Sequence, residues 1–237
     1  MEMTEAGEIL YKKGKELLHN LKGVGMEVRE TGGGLRGTLN IATTTSSLCF
    51  LPVRIKSFKS IFPNVTFNIR EGDPYLITDF FKNRNIELAI VRSPTDTTSY
   101  SSKHLGQEPF VFITPKAWVI NPQSKITMKE IAEYPLLLLH RIYGIGAYEL
   151  ILSELKKHGL TPKIECESPD AIILLSLVEA GIGATILPKS AAFVFSNKGL
   201  NFVEITDCTI YMDAFLIWLK DSYLTKVAQK FIKSFNT

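Results

Sequence analysis

Apolar positions in the first thirty residues recur every seven. Met3, Leu10, Leu17 and Val24 form one series, and Gly7, Gly14, Leu21 and Val28 form a second, offset by four. Together they trace a seam of about four heptads along one side of a helix. Thr4 supplies an N-cap and Glu5 a negative charge in the first turn. The two glycines weaken such a helix by roughly 1 kcal/mol each relative to alanine, and they let a second backbone come close. The seam predicts a linker helix over residues 1–31 that dimerises; an amphipathic helix packed on its own domain is the alternative. The pattern stops at Thr31-Gly32-Gly33-Gly34, which reads as a hinge.

Beyond the hinge, strand and helix periods alternate. Residues 37–42 (GTLNIA) predict a strand. Residues 48–62 predict one helix, apolar at Leu48, Leu51, Ile55, Phe58 and Ile61 and stopped by Pro63. A strand over 65–69 follows, then a helix through Phe81 with Asp73 as cap and Pro74 in its first position. Residues 87–91 (ELAIV) predict a short buried strand. Strand, helix, strand, helix, strand implies a parallel α/β sheet.

Residues 110–113 (FVFI) open a less regular stretch. After it come a short helix over 128–132, a strand over 136–139 and a helix over 147–158 closed by Gly159. A strand over 163–166 leads to a helix over 169–180, capped by Ser168 and closed by Gly181, and then to a strand over 184–187. A strand over 214–219 and a helix over 224–235 finish the chain. Two α/β halves of about 80–100 residues each suit a two-lobed binding fold.

Composition narrows the function classes. The chain has 237 residues, 45% hydrophobic and 22% charged, so a full core is expected. A net charge of +3 is too small to point to a nucleic-acid or membrane surface. Cys49, Cys166 and Cys208 are scattered without a CxxC spacing, as in reduced thiols of a cytoplasmic protein. Four histidines without an HExxH pattern give a metal site little support. No run of apolar residues is long enough to cross a membrane, and the polar start MEMTEAGEIL lacks the core of a signal peptide. There is no G-x-S-x-G elbow and no P-loop. Gly181-Ile182-Gly183 falls short of a dinucleotide fingerprint. No cofactor is expected, and no catalysis.

Several segments in order resemble the LysR-type transcriptional regulators. Leu35-Arg36-Gly37-Thr38-Leu39-Asn40-Ile41, then Leu51-Pro52 and Phe62-Pro63-Asn64-Val65, look like the start of that family's effector-binding domain. Ile86-Glu87-Leu88-Ala89-Ile90-Val91 is similar to its D-L-A-I strand, with Glu87 in place of the commoner Asp. Val178-Glu179-Ala180-Gly181-Ile182-Gly183-Ala184-Thr185-Ile186-Leu187-Pro188 is similar to its V-A-A-G-x-G-I-x-x-L-P signature. Met3-Thr4-Glu5-Ala6-Gly7 resembles the L-T-E-A-G that opens the family's linker helix.

The resemblance implies a type-2 periplasmic-binding-protein-like fold, α/β, with two lobes around an effector cleft. Lobe I would be residues 35–116 and 215–237, and lobe II residues 117–214. Only three residues precede Thr4, so the chain looks like a fragment without the family's winged helix-turn-helix. Promoter DNA would then be a partner only through that missing domain. The other implied partners are a small-molecule effector and a second copy of the chain in a homodimer or tetramer. The dimer would be antiparallel, with the helix over 48–62 near the helix over 169–180 of the other copy. No membrane partner is implied, and the location would be cytoplasmic. A solute-binding receptor without DNA linkage is the alternative, and a small enzyme on the same fold a third class.

The chemistry should sit where strands end. Thr43, Thr44, Thr45, Ser46 and Ser47 join a parallel strand to a helix, at the sheet edge where α/β folds bind ligands. Hydroxyls there cap a helix or offer adjustable donors to a ligand, without the cost of a buried charge; Thr44, Thr45 and Ser46 match the family's effector contacts best. Arg92 and Ser93 follow the ELAIV strand onto the same edge, where a guanidinium holds a carboxylate or serves as an ordinary surface charge. Arg141, Tyr143 and Gly144 follow the LLLL strand of the second half and should face the first junction. Two arginines on one cleft imply an anionic effector such as a carboxylate. Asp73 reads as a cap or a cleft residue, and Trp118 and Trp218 as packing residues.

Overall fold

The computed structural model describes residues 3–30, 35–92, 98–118, 125–140, 145–190, 199–220 and 222–235. Helix α1 (Glu5–Glu30) starts at Thr4, whose Oγ1 accepts from Gly7 N at 3.2 Å. Its seam residues Met3, Leu10 and Leu17 lie exposed.

Strand β1 (Gly37–Thr43) pairs in parallel with β2 (Val65–Glu71) on one side and β3 (Leu88–Arg92) on the other. On the far side of β3 lies β9 (Tyr211–Leu219), antiparallel, and beyond it β4 (Tyr100–Pro115). This half of the sheet is covered on one face by α2 (Leu51–Ile61) and α7 (Lys226–Ser234). There Phe58, Phe67 and Phe231 meet edge to face over Leu39, Ile41 and Leu88. Helix α3 (Pro74–Lys82) covers the other face, with Ile77 and Phe81 against Ala42, Ala89 and Val91.

Strand β4 changes partners along its length. Up to Pro109 it pairs with β9; from Phe110 it pairs with β7 (Thr185–Pro188) and, on its other side, β8 (Leu200–Glu204). Next to β7 come β5 (Pro135–Leu139) and its parallel neighbour β6 (Lys163–Ser168), joined to β7 by a bridge between Leu136 and Ala184. That junction requires Gly183, because a Cβ there would meet the Pro135 carbonyl oxygen at 2.7 Å. Helix α5 (Ala147–Lys157) packs Ile151 and Leu155 on one face, and α6 (Ala171–Glu179) packs Leu174 and Val178 on the other. The short α4 (Met128–Ile131) begins at a Thr127–Glu130 capping box. Glu154, wholly buried on α5, accepts from Thr209 N at 2.6 Å and Thr209 Oγ1 at 2.7 Å, which ties the segment between β8 and β9 to this helix.

Four expectations need correction. The helix expected over 48–62 is a 3₁₀ turn, Thr45–Phe50, followed by α2. Pro52 has no N–H to donate back to the preceding turn, so the α-helix can begin only around it. The cap of α6 is Asp170, whose carboxylate accepts from Ile172 N at 2.7 Å; Ser168 instead accepts from Asp170 N at 3.2 Å and shapes the preceding turn. The strand expected to begin at Glu87 begins at Leu88, and the Glu87 carboxylate turns away to accept from Thr225 N at 2.9 Å, at the start of α7. The less regular stretch around 110–113 is the end of a 16-residue strand.

Candidate functional site

Thr43 ends β1 and is buried, with its Oγ1 donating to the Thr44 carbonyl at 3.1 Å. Its carbonyl accepts from Gly72 N at 3.2 Å, which brings the β2–α3 turn alongside. Thr44 Oγ1 donates to Ser47 Oγ at 2.8 Å and lies 3.3 Å from Ser46 Oγ. No hydroxyl side chain caps the 3₁₀ turn at Thr44, so the run is not explained by capping. Thr45 Oγ1 donates to Glu71 Oε1 at 2.7 Å. Asp73 caps α3, accepting from Leu76 N at 2.7 Å.

Thr44, Thr45 and Ser46 line a cleft with Glu71, Gly72, Asp73 and Pro74 from their own half of the sheet. The opposite wall is Leu139, at the end of β5, with Pro169 and Ala171 at the start of α6. The cleft opens to solvent, and its cavity volume is about 60 Å³. Asp73 therefore fulfils both of its readings, as cap and as lining. Among the described residues the lining holds two carboxylates and no cation.

Arg92 lies beside the hydroxyl run, but its guanidinium is buried beneath it and turned to internal partners. Nε and Nη2 donate to the Ser46 carbonyl at 3.2 and 2.9 Å, Nη2 also donates to Ser190 Oγ at 2.8 Å, and Nη1 forms an ion pair with Glu108. The Phe50 ring lies 5.3 Å from the guanidinium carbon. Cys49 Sγ donates to Ser190 Oγ at 3.1 Å. Burial pushes the Cys49 thiol up, outweighing the Ser190 hydrogen bond and the Arg92 charge that pull it down. Sequence reasoning missed Glu108 and Ser190; neither carries a local motif, and Ser190 lies 98 residues from Arg92.

Ser93, Arg141, Tyr143 and Gly144 lie outside the described residues. Their flanks are placed. Leu139 lines the cleft, and His140 follows it with Nδ1 3.2 Å from Glu167 and Nε2 3.8 Å from Glu149. Tyr148 packs its ring 4.4 Å from His140 and donates to Glu167 at 2.7 Å. Trp118 stacks on Tyr134 in one core, and Trp218 packs into another. The three cysteines are free. Among the described residues no cluster suits a metal, and no helix is long and apolar enough to cross a membrane.

The family described as LysR substrate binding domain matches residues 32–237. The chain belongs to that family. It is the effector-binding domain of a LysR-type transcriptional regulator, as the ordered motifs implied. The HTH-type transcriptional regulator BsdA of Bacillus subtilis is 31% identical over 235 residues, which cover 99% of this chain and 81% of that one. AlsR of the same organism is 24% identical, covering 94% of this chain and 74% of that one. Among solved structures, full-length CbnR in complex with its target DNA superposes with a TM-score of 0.77 at 18% identity, covering 100% of this chain and 82% of CbnR. The effector-binding domain of QuiR with shikimate gives a TM-score of 0.72 at 19% identity, covering 85% of this chain and 96% of that one. At these identities the structures establish the fold. It is the two-lobed periplasmic-binding-protein-like fold shared by LysR effector-binding domains.

Proposed function

We propose that this LysR domain senses a small carboxylate in the cleft between its two halves and transmits that binding to DNA recognition by the regulator. The observation that carries the reading is the cleft itself. Hydroxyls at the end of β1 face the end of β5 and the start of α6, across two halves joined by two crossings of the chain. The lobes are best divided where β4 changes partners, after Pro109, and where β9 begins, at Tyr211, in place of the 116 and 215 expected from sequence.

Thr44, Thr45 and Ser46 are the first-lobe contacts, with Thr43 fixing the strand end and Arg92 the turn beneath them. By their sequence positions after β3 and β5, Ser93, Arg141, Tyr143 and Gly144 are assigned to the same site, with Arg141 as its positive charge. QuiR was solved with shikimate, itself a carboxylate. Closing or opening the lobes around such a ligand would shift the geometry of a homo-oligomer and hence of its DNA-binding heads. Exposed Val53 and Ile61 on α2, and Ile172 and Ile173 on α6, suit an antiparallel dimer in which these helices meet, with the α1 seams pairing separately.

Calorimetric titration of small mono- and dicarboxylates, with neutral analogues in parallel, tests the reading. Carboxylate binding that weakens in Thr45→Ala/Ser46→Ala supports it. Tight binding of a neutral analogue with none of any carboxylate overturns the choice of ligand class.

A further inference from the structure

Polar side chains from distant parts of the chain meet behind the cleft. Ser46, Cys49 and Arg92 belong to the first half, Glu108 to the strand shared by both halves, and Ser190 to the segment just past β7 in the second. Arg92 is 1% exposed, so water cannot replace any partner it loses. Its planar fork satisfies the Ser46 carbonyl, Ser190 Oγ and Glu108 in one orientation only. Glu108 is in turn held by Ser190, accepting from its backbone N and its Oγ, both at 2.6 Å. Glu108 sits on β4 just before the change of partners, and just after a register shift between His104 and Gly106 where Gly106 adopts φ +147°. A bulge of that kind is where a strand can bend.

We propose that Arg92, Glu108 and Ser190 form a latch that sets the angle between the lobes and reads occupation of the cleft through Ser46. The inference rests on the cleft reading above. Ser46 is the link because it lines the cleft while its carbonyl is held by Arg92. A ligand seated between the Ser46 turn and the facing wall of Leu139, Pro169 and Ala171 presses on the 3₁₀ turn or on the opposite lobe. Either movement pulls on Arg92. A buried cation held by an ion pair and several hydrogen bonds does not give up one partner alone, so Glu108 and Ser190 move with it. Arg92, Glu108 and Ser190 are positioning residues and need not touch the ligand.

The test needs no ligand. Spin labels carried on non-canonical side chains at the exposed Lys56 of α2 and Lys129 of α4 report the distance between lobes and leave Cys49 native. A single narrow distance is expected in the parent domain, and a broadened one in Glu108→Gln, Ser190→Ala and Arg92→Lys. Ser190→Ala is the mildest of the three and keeps the test valid if the others fold poorly. Ser46→Phe fills the cleft from within. It should shift the distance to a new value in the parent and add no shift in the Ser190→Ala or Glu108→Gln background. Phe58→Leu, which loosens the first core away from the latch, should leave the distance narrow. An equal Ser46→Phe shift with and without the latch overturns the proposal, as does equal broadening in Phe58→Leu. Carboxylate titration of the same variants reports separately on the cleft: unchanged affinity in Ser46→Phe overturns the cleft reading, whatever the distances do.

Discussion

Replacing Glu71 with glutamine isolates the effect of charge at the cleft rim. Thr45 Oγ1 spends its proton on Glu71 Oε1 at 2.7 Å. A ligand carboxylate bound at that hydroxyl would bring its oxygen to roughly 5 Å from Glu71, twice a hydrogen-bond length. Two like charges at that separation repel by about 1 kcal/mol in a water-like dielectric and by about 3 kcal/mol at an effective dielectric of 20. Glu71 is exposed, so the lower figure applies. About 1 kcal/mol is about a fivefold change in Kd. Glutamine can also donate to Thr45 Oγ1, which frees the hydroxyl proton for the ligand. Glu71→Gln should therefore bind small carboxylates about fivefold more tightly than the parent in calorimetric titrations at low salt. The gain should shrink as added salt screens the rim. An amine-bearing probe should change the other way. A thermal midpoint close to the parent's would show that the fold is untouched. If Glu71→Gln binds carboxylates more weakly, or gains affinity only for cations, the anionic reading of the cleft is refuted.

Other outcomes follow from the same geometry. Thr45→Ala with Ser46→Ala removes two half-buried donors worth about 1 kcal/mol each, so carboxylate affinity should fall about 20–30-fold by calorimetry with little change in thermal stability. Phe58→Ala empties the contact among Phe58, Phe67 and Phe231, and urea unfolding should show a loss of about 3–5 kcal/mol. Burial raises the pKa of Glu87 above the usual carboxylate range, more than its hydrogen bonds to Thr225 lower it. The folded state therefore holds that proton more tightly than the unfolded chain does. This contribution to stability is present in full below the unfolded pKa and is lost as pH rises through the folded one. Glu87→Gln keeps an acceptor for Thr225 and removes the charge, so its melting temperature relative to the parent should climb from pH 4 to pH 7; a flat difference across that range would contradict the assignment.

The parallel strands of the first half were legible in the sequence. ELAIV read as a buried strand because a continuous apolar run suits a parallel strand covered on both sides, and GTLNIA read as a strand although Thr38 and Asn40 leave its first half only partly buried. The first part of β4 was not, because it pairs with β9 alone and alternates half-buried with exposed positions in polar letters. The 3₁₀ turn was hidden because apolar spacing continues across Pro52 while the hydrogen-bond pattern cannot. At the site, the hydroxyl run announced itself as a local excess that capping does not explain. The role of Arg92 was misjudged for a reason of the same kind. A strand-end arginine looks alike whether it faces solvent or is buried against Glu108 and Ser190, and those partners come from other elements of the fold.

The place of β9 in the sheet has a consequence for synthesis. It lies between β3 and β4, yet only the last helix of the chain follows it. As the polypeptide leaves the ribosome, the second lobe has all of its strands once residue 204 has emerged. The first lobe must wait, with the edge of β3 unpaired and its aromatic core lacking Phe231. The order of birth is then the reverse of the order in sequence: the inserted lobe can fold first, and the lobe begun earlier closes last, around a strand delivered from its far end.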